Sequence, residues 1–200
     1  VKEFRKRFGN VSQLAEIRPT SLNGNVSETA QNRISKITTT EFCAASSLAT
    51  ALPTGALREL ANGGQKEIKA SRVPLILKLN GKTNLRHGEP LSTQLCTVKE
   101  AIKFGASAVG YTIYIGSEFE NVMFREFEDI EREAHAHGLP VIAWIYPRGK
   151  AVEGKPEGKM LAYAARVGLE IGADIVKLHW NGNVHDLEWA VKAAGKCKLV

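Results

Sequence analysis

The sequence has no long apolar run, few cysteines and no nucleic-acid-binding motif. No stretch approaches the roughly 20 apolar residues that a membrane-spanning helix needs, so we expect no membrane partner. The 3 cysteines, Cys43, Cys96 and Cys197, form no CxxC pair, which argues against a disulfide framework or a zinc site. The net charge of +6 is spread along the chain, so we expect no nucleic acid partner. The basic start VKEFRKRF lacks the apolar segment of a signal peptide, which predicts a cytoplasmic protein.

Aspartate is missing from a large part of the chain. The first aspartate is Asp129, and residues 11–50 contain 12 Ser or Thr against 2 in the equally long stretch 108–147. This difference in composition predicts two parts, a divergent N-terminal region over 1–72 and a regular region over 73–200.

The regular region repeats one pattern. Apolar runs rich in β-branched residues begin about 33 residues apart, which is the length of one strand-helix unit. Helical stretches that end on glycine precede three of the four runs, as in helix-to-strand connections. Such repeats form an α/β fold, either an open doubly wound sheet or a (β/α)8 barrel, and the lack of a GxGxxG turn after any run disfavours the dinucleotide-binding option. The predicted strands are 74–80, 108–115, 140–147 and 174–180.

Alternation along these strands sorts their side chains into two faces. One face is apolar in every strand, and the other becomes polar toward the C-terminal end, where barrel enzymes have their active sites. The functional candidates on or near this polar face are Lys78, Asn80, Tyr114, Trp144, Tyr146, Arg148, Lys177 and His179. In contrast, His135 and His137 are two residues apart on a predicted helix, and we expect both on its solvated surface.

A lysine inside the apolar run ADIVKLHW indicates chemistry. Burial lowers the pKa of a lysine, and a neutral amine can attack a carbonyl carbon to form a Schiff base. Tyr146, on the adjacent strand, could then move protons. The alternative is a structural lysine paired with an inward carboxylate. Lys78 is as inward as Lys177, so the strand faces alone do not choose between the two lysines.

Several segments together resemble the archaeal-type class I fructose-1,6-bisphosphate aldolases, a (β/α)8-barrel family that uses a Schiff-base lysine without a cofactor. The segments are PLILKLNGKT (74–83), VGYTIYIGS (109–117), AWIYPRG (143–149), YAARVGLEIGADIVK (163–177) and WAVKAAGK (189–196). The resemblance implies Lys177 as the Schiff-base lysine, Tyr146 as the proton-transferring tyrosine and Trp144 as a substrate contact. It further implies a phosphorylated sugar substrate and a homo-oligomer.

Two features of the family are missing from the sequence. The family's first strand ends in an Asp-His-Gly motif, and this chain has no aspartate before Asp129. The family's phosphate-binding Ser-Gly-Gly and Gly-Arg motifs follow its last strands, and we expect those strands to lie beyond Val200. The sequence therefore predicts an incomplete barrel that acts as a fructose-bisphosphate aldolase. Two alternatives remain, a related Schiff-base aldolase or transaldolase of early aromatic biosynthesis and a non-catalytic aldolase fragment.

The other polar candidates have open roles. Arg148 follows the strand that carries Tyr146 and could contact a phosphate or form a structural ion pair. Tyr114 and Asn80 could line the pocket. His179 shares the inward face with Lys177 and could contact the substrate or be a hydrogen-bonded core histidine.

Overall fold

The fold was analysed in a computed structural model, which describes residues 74–83, 85 and 87–200. The predicted N-terminal region, 1–72, and its boundary at residue 73 lie outside these residues. The strands are β1 (Ile76–Lys78), β2 (Asn80–Gly81), β3 (Thr93–Gln94), β4 (Ala108–Ile115), β5 (Val141–Pro147), β6 (Ile175–Lys177) and β7 (Lys198–Leu199). The α-helices are α1 (Val98–Lys103), α2 (Glu120–Ala136), α3 (Glu157–Glu170) and α4 (Val184–Ala194), and a short 3-10 helix covers Lys150–Val152.

Five parallel strands form the main sheet in the order β1-β4-β5-β6-β7. Each strand of this sheet pairs with the next one in sequence, and a helix connects each neighbouring pair. The order never reverses, whereas a doubly wound sheet has a point of reversal. This arrangement is a section of a (β/α)8 barrel and confirms the predicted fold class.

The two faces of the sheet have different neighbours. The outer face contributes residues such as Val109, Ile113 and Val176 to a core that also contains Met123 and Phe127 of α2. The inner face forms a second cluster, made by the buried residues Ile76, Ala108, Ile142, Trp144 and Ile175. All of these lie on or next to strands, and among the described residues no helix contributes to this inner cluster. Helices on one face only are typical of a barrel wall.

The helices follow the predicted local signals. Helix α2 buries residues at helical spacing, among them Met123, Phe127 and Ile130, and therefore packs one face on the sheet. The connections to β4 and β6 pass through Gly105 and Gly172, whose φ angles are 79° and 84°. Glycine is favoured at such positive φ because it has no Cβ to clash with the backbone.

Two strands are shorter than predicted. β1 ends at Lys78 and β6 ends at Lys177, three residues before the predicted end of that strand. Leu79 N still donates to the carbonyl oxygen of Gly110 in β4, and the next two residues, Asn80–Gly81, pair antiparallel with Thr93–Gln94. Apolar alternation continues past both points, so the sequence pattern alone could not mark where strand pairing stops.

His135 contradicts its prediction as a solvated surface residue. Its Nδ1 lies 2.8 Å from Glu131 Oε1, and its Nε2 lies 2.8 Å from Asp174 Oδ2. Asp174 Oδ2 also accepts a hydrogen bond from Val141 N at 2.8 Å. This group ties α2 to β5 and β6 at the N-terminal edge of the sheet, and it raises the pKa of His135, chiefly through the hydrogen bond with Asp174.

None of the helices in residues 74–83, 85 and 87–200 combines the length and the apolar character required to cross a lipid bilayer.

Candidate active site

Lys177 is the last residue of β6 and lies at the C-terminal end of the parallel sheet. Its neighbour across the β5 ladder is Trp144, which in turn pairs with Thr112 of β4. Lys177 Nζ is 5.9 Å from the centroid of the Trp144 ring system. Strand alternation thus brings the amine against an aromatic wall on the inner face, as the sequence predicted.

Two tyrosines lie on the same face near the C-terminal end. Tyr146 follows Trp144 by two residues on β5 and pairs in register with Tyr114 of β4. Their ring centroids are 6.3 Å apart. Burial raises the pKa of both phenols, and the charge of Arg148 partly opposes that rise. Both tyrosines are therefore neutral near pH 7 and can donate a proton.

Arg148 stands just beyond β5 and packs on Tyr146. Its guanidinium carbon is 5.3 Å from the centroid of the Tyr146 ring. Its backbone N donates to the carbonyl oxygen of Ile115 at the end of β4. Arg148 is therefore a cation stacked on the proton-transfer candidate, and its predicted contact with a phosphate stays a prediction.

Glu89 holds together the loops that follow β4 and β5. Its Oε2 accepts from Glu118 N at 3.2 Å, and its Oε1 accepts from Lys150 N at 3.0 Å. One carboxylate thus bridges the two loops that flank Arg148 and Tyr114. Sequence reasoning missed Glu89 because its partners are backbone N–H groups far away in the chain.

Lys78 lies at the end of β1 with its side chain half-buried. The pKa of Lys78 is lowered, first by burial and then by the positive charges of Lys177 and Lys82. The repulsion between Lys78 and Lys177 is mutual, so it opposes a state in which both carry a proton. Lys82, which the sequence analysis did not select, places its Nζ 5.8 Å from the centroid of the Tyr114 ring.

Asn80 has a different role from the predicted pocket-lining one. It is 4% exposed, and its Oδ1 accepts from Thr112 N at 2.8 Å. Its Nδ2 donates to the carbonyl oxygens of Thr112 and Ser92 at 2.8 and 2.9 Å. Both N–H bonds of the amide are used, so the side chain fastens the chain after β1 to β4.

His179 also differs from its predicted position. It lies two residues beyond the end of β6 and is exposed, because the alternation that placed it beside Lys177 stops with the strand. The structure therefore brings Lys177, Trp144, Tyr146, Tyr114 and Lys78 together, and it leaves Asn80 and His179 out of the cluster.

The cluster has the electrostatics of a site for an anion that carries a carbonyl group. Four cationic side chains converge on the C-terminal side of the sheet, those of Lys78, Lys82, Arg148 and Lys177. Within the part of the chain that the structure describes, no group of three or more His, Cys, Asp or Glu side chains is arranged to hold a metal ion. The chemistry available from these side chains is amine addition and proton transfer.

Two curated proteins are similar to this chain in sequence. A fructose-bisphosphate aldolase class 1 of Thermoproteus tenax is 54% identical over 128 residues, which are 64% of this chain and 49% of the relative. The fructose-bisphosphate aldolase/6-deoxy-5-ketofructose 1-phosphate synthase of Methanocaldococcus jannaschii is 39% identical over 135 residues, covering 62% of this chain and 44% of the relative. The chain thus spans about half the length of the curated relatives it matches.

A solved structure is also similar to this chain in three dimensions. It is an archaeal fructose-1,6-bisphosphate aldolase with its catalytic lysine covalently bound to the carbinolamine intermediate of the substrate. The TM-score is 0.64 at 48% identity, and the match covers 69% of this chain and 55% of that one. Residues 24–193 match the model of the DeoC/LacD family aldolases. Because that match covers far more than half of the sequence, the chain belongs to the DeoC/LacD aldolase family.

Proposed function

We propose that this chain carries the Schiff-base chemistry of a class I fructose-bisphosphate aldolase, a lyase that reversibly cleaves fructose 1,6-bisphosphate to dihydroxyacetone phosphate and glyceraldehyde 3-phosphate. One observation carries the proposal. Lys177 ends β6 on the inner face, with its amine against Trp144 and one strand away from Tyr146. A parallel barrel has its reactive groups at this end of the strands.

The amine of Lys177 is the proposed nucleophile. Its Nζ forms a bond to C2 of the open-chain ketose as the C=O π bond breaks. The former carbonyl oxygen takes one proton from the nitrogen and a second from an acid, and it leaves as water to give a protonated imine. The imine accepts the electron pair of the C3–C4 bond as that bond breaks. The C4 hydroxyl proton is removed in the same step, and glyceraldehyde 3-phosphate leaves. Protonation of the enamine at C3 and hydrolysis then release dihydroxyacetone phosphate and restore the amine.

Tyr146 is the proposed proton carrier. Its phenol stays neutral near pH 7, so its oxygen can take up one proton while it gives up another. Arg148 stacks on its ring and limits the ways in which it can turn. Tyr146 is not a nucleophile in this scheme, which separates its role from that of Lys177.

Lys78 has two proposed tasks. The charges of Lys78 and Lys177 repel each other, so the two amines do not readily carry protons at the same time and a neutral amine is available for attack. With Lys82 and Arg148, Lys78 also makes the mouth attractive to a phosphorylated sugar. Trp144 supplies the apolar wall and contacts the substrate, and Tyr114 lines the pocket beside Tyr146.

The remaining attributes of the whole protein belong to the same proposal. We infer that it acts on sugar phosphates in glycolysis and gluconeogenesis, in the cytoplasm and as a homo-oligomer. The names of the aldolase relatives support the substrate class, and the family resemblance is the support for the oligomer.

Borohydride trapping tests the proposed function. Sodium borohydride added with dihydroxyacetone phosphate reduces the imine, so the intact mass should rise by one ligand per chain. Lys177→Met should abolish the adduct, and Lys192→Met, at an exposed position on α4, serves as a control that removes a lysine but keeps the adduct. An unmodified mass in a folded sample would favour the non-catalytic fragment.

A second candidate function is the synthesis of 6-deoxy-5-ketofructose 1-phosphate, because the Methanocaldococcus jannaschii relative is also named for that activity. The two functions share the lysine and differ in the substrates that the imine joins or releases. Cleavage of fructose 1,6-bisphosphate coupled to detection of glyceraldehyde 3-phosphate supports the first function. Efficient formation of 6-deoxy-5-ketofructose 1-phosphate with poor cleavage would support the second.

A further inference from the structure

Gly110 lies on the inner face of β4 at a point where no side chain fits. A Cβ built on Gly110 would lie 1.6 Å from Cζ3 and 2.1 Å from Cη2 of Trp144. Contacts under 3 Å cannot be kept, so either the indole or the backbone would have to move. Gly110 has ordinary strand pairing with Lys78 on one side and Ile142 on the other. Its backbone conformation does not require glycine, so close approach of the indole is the reason for its presence.

The indole that fills this space is held in an unusual way. Trp144 is 1% exposed, yet its Nε1 has no hydrogen-bond partner among the described residues. A buried indole N–H usually has a partner. The position of the ring is therefore set by packing, and the ring occupies the space that a Cβ at residue 110 would need.

The position of this ring matters for Lys177. In strand order, Lys78 on β1 and Lys177 on β6 lie on either side of β4 and β5, and the indole covers β4 between them. Lys177 Nζ is 5.9 Å from the ring centroid. A ring that rotated away from Gly110 would change both the apolar wall beside the amine and the space that a substrate can enter.

We infer that Gly110 is a positioning residue, which leaves open the volume that holds the Trp144 indole beside Lys177. The inference rests on the proposed function of Lys177 as the imine-forming amine. Gly110 has no side chain to offer to a substrate or to the amine, and in this inference it acts only through the indole. Substitution of Gly110 should therefore have no effect on imine formation at Lys177 in a chain that lacks the indole.

A double-mutant cycle tests this dependence. Gly110→Ala should slow borohydride trapping at Lys177 by about 10- to 100-fold, because small misplacements of a reacting group have effects of this size. In the Trp144→Leu background, which has no ring over residue 110, the same substitution should change the rate by less than about 2-fold. An equal slowing in both backgrounds would overturn the inference.

A spectroscopic readout tests the geometry without any catalysis. The chain has 3 tryptophans, so three indole N–H signals are expected in a 15N-labelled sample, and Trp144→Leu identifies one by its loss. Gly110→Ala should shift the Trp144 signal and leave those of Trp180 and Trp189 in place. An unshifted Trp144 signal overturns the inference. Absent trapping in the unaltered chain would instead overturn the proposed function, so the two failures are distinct.

Gly158 offers a control with a clash of similar size away from the strands that carry Trp144 and Lys177. A Cβ at Gly158 would lie 2.1 Å from Oδ1 of Asp186, so Gly158→Ala strains the packing of α3 on α4. It should lower stability while leaving the Trp144 signal and the trapping rate within about 2-fold. If the control variant slowed borohydride trapping as much as Gly110→Ala does, general strain would explain both effects, and this would contradict the inference.

The cycle remains decisive if Gly110→Ala does not fold. The pair Gly110→Ala and Trp144→Leu then removes the clash, and cooperative unfolding should return. Failure of the double variant to fold, while Trp144→Leu alone folds, would show that residue 110 acts without the indole and would contradict the inference.

Discussion

The two ends of the main sheet differ in the partners of their charged side chains. At the N-terminal edge, His135 lies between the carboxylates of Glu131 and Asp174, each 2.8 Å from one of its nitrogens. At the C-terminal end, Lys177 lies three residues after Asp174 and against the Trp144 ring. Its positive charge is close enough to Lys78 to lower the pKa of Lys78. One edge pairs opposite charges, and the other gathers like charges.

This difference separates stability from chemistry. Hydrogen-bonded opposite charges hold three elements together, and breaking such a group leaves buried atoms unpaired. Half-buried like charges destabilise each other, and such clusters are typical of functional sites because they shift the pKa values that catalysis needs. Substitutions in the His135 group should therefore mainly change unfolding, and substitutions of Lys177 or Tyr146 should mainly change turnover.

The largest expected effect is that of Tyr146→Phe. Loss of a positioned proton carrier should slow cleavage of fructose 1,6-bisphosphate by about 100- to 10,000-fold in single-turnover measurements. Trapping of the imine with dihydroxyacetone phosphate should persist. Tyr163→Phe is the control, since Tyr163 is 58% exposed on α3 and should have no effect. Equal loss of trapping and cleavage in Tyr146→Phe would contradict the assigned role.

Asn80→Ala should have the next largest effect, on stability. The substitution removes three hydrogen bonds and leaves buried partners on Thr112 and Ser92. The free energy of unfolding in urea should fall by about 2–4 kcal/mol. Asn181→Ala, at an exposed position, should cost less than about 1 kcal/mol. If Asn80→Ala left the free energy of unfolding unchanged and raised the Michaelis constant, the result would support the pocket-lining role of Asn80 instead.

The His135 group predicts a pH-dependent difference in stability. Both ring nitrogens face carboxylates, so only the protonated ring donates to both. The pKa of His135 is raised above 6.5, so the added stability is complete below that pH and is lost as pH rises through the folded-state pKa.

The difference between the unaltered chain and His135→Gln measures this dependence. The free energy of unfolding of His135→Gln should be about 1–3 kcal/mol lower than that of the unaltered chain at pH 5.5, and this difference should be smaller at pH 9. His137→Gln, at an exposed position two residues away, should show no such trend. A gap that widened toward high pH would show that the pKa is shifted in the opposite direction.

Arg148→Met should have the smallest effect on stability. Loss of the cation over Tyr146 should cost about 0.5–1 kcal/mol. The charge of Arg148 lowers the pKa of Tyr146, so its removal should raise that pKa further, which NMR titration of the phenol carbon can follow. Arg166→Met, whose cation pairs with Glu170 on an exposed helix face, should leave the Tyr146 titration unchanged. A lowered pKa in Arg148→Met would contradict the stacked geometry.

Sequence reasoning found the parts of the site that depend on strand period. Alternation put Trp144, Tyr146 and Lys177 on one face, and the parallel register then brought them together at one end. The family resemblance, and not the pattern, distinguished Lys177 from Lys78.

The remaining features depend on contacts that no local pattern encodes. Alternation does not show where strand pairing ends, so it could not reveal that His179 is exposed or that Asn80 bonds to Thr112 and Ser92, and the predicted substrate contacts of both residues stay predictions. His135 was misplaced because its partner Asp174 belongs to another element. The role of Gly110 depends on the rotamer of Trp144, which only packing decides.

The identity of the lysine that forms the imine tests the account most directly. After reduction with borohydride and dihydroxyacetone phosphate, fragmentation of the digested chain locates the added mass on a single residue. The account predicts the adduct on Lys177, with Lys78 unmodified. An adduct on Lys78, or the same amount of adduct in Lys177→Met, would contradict it.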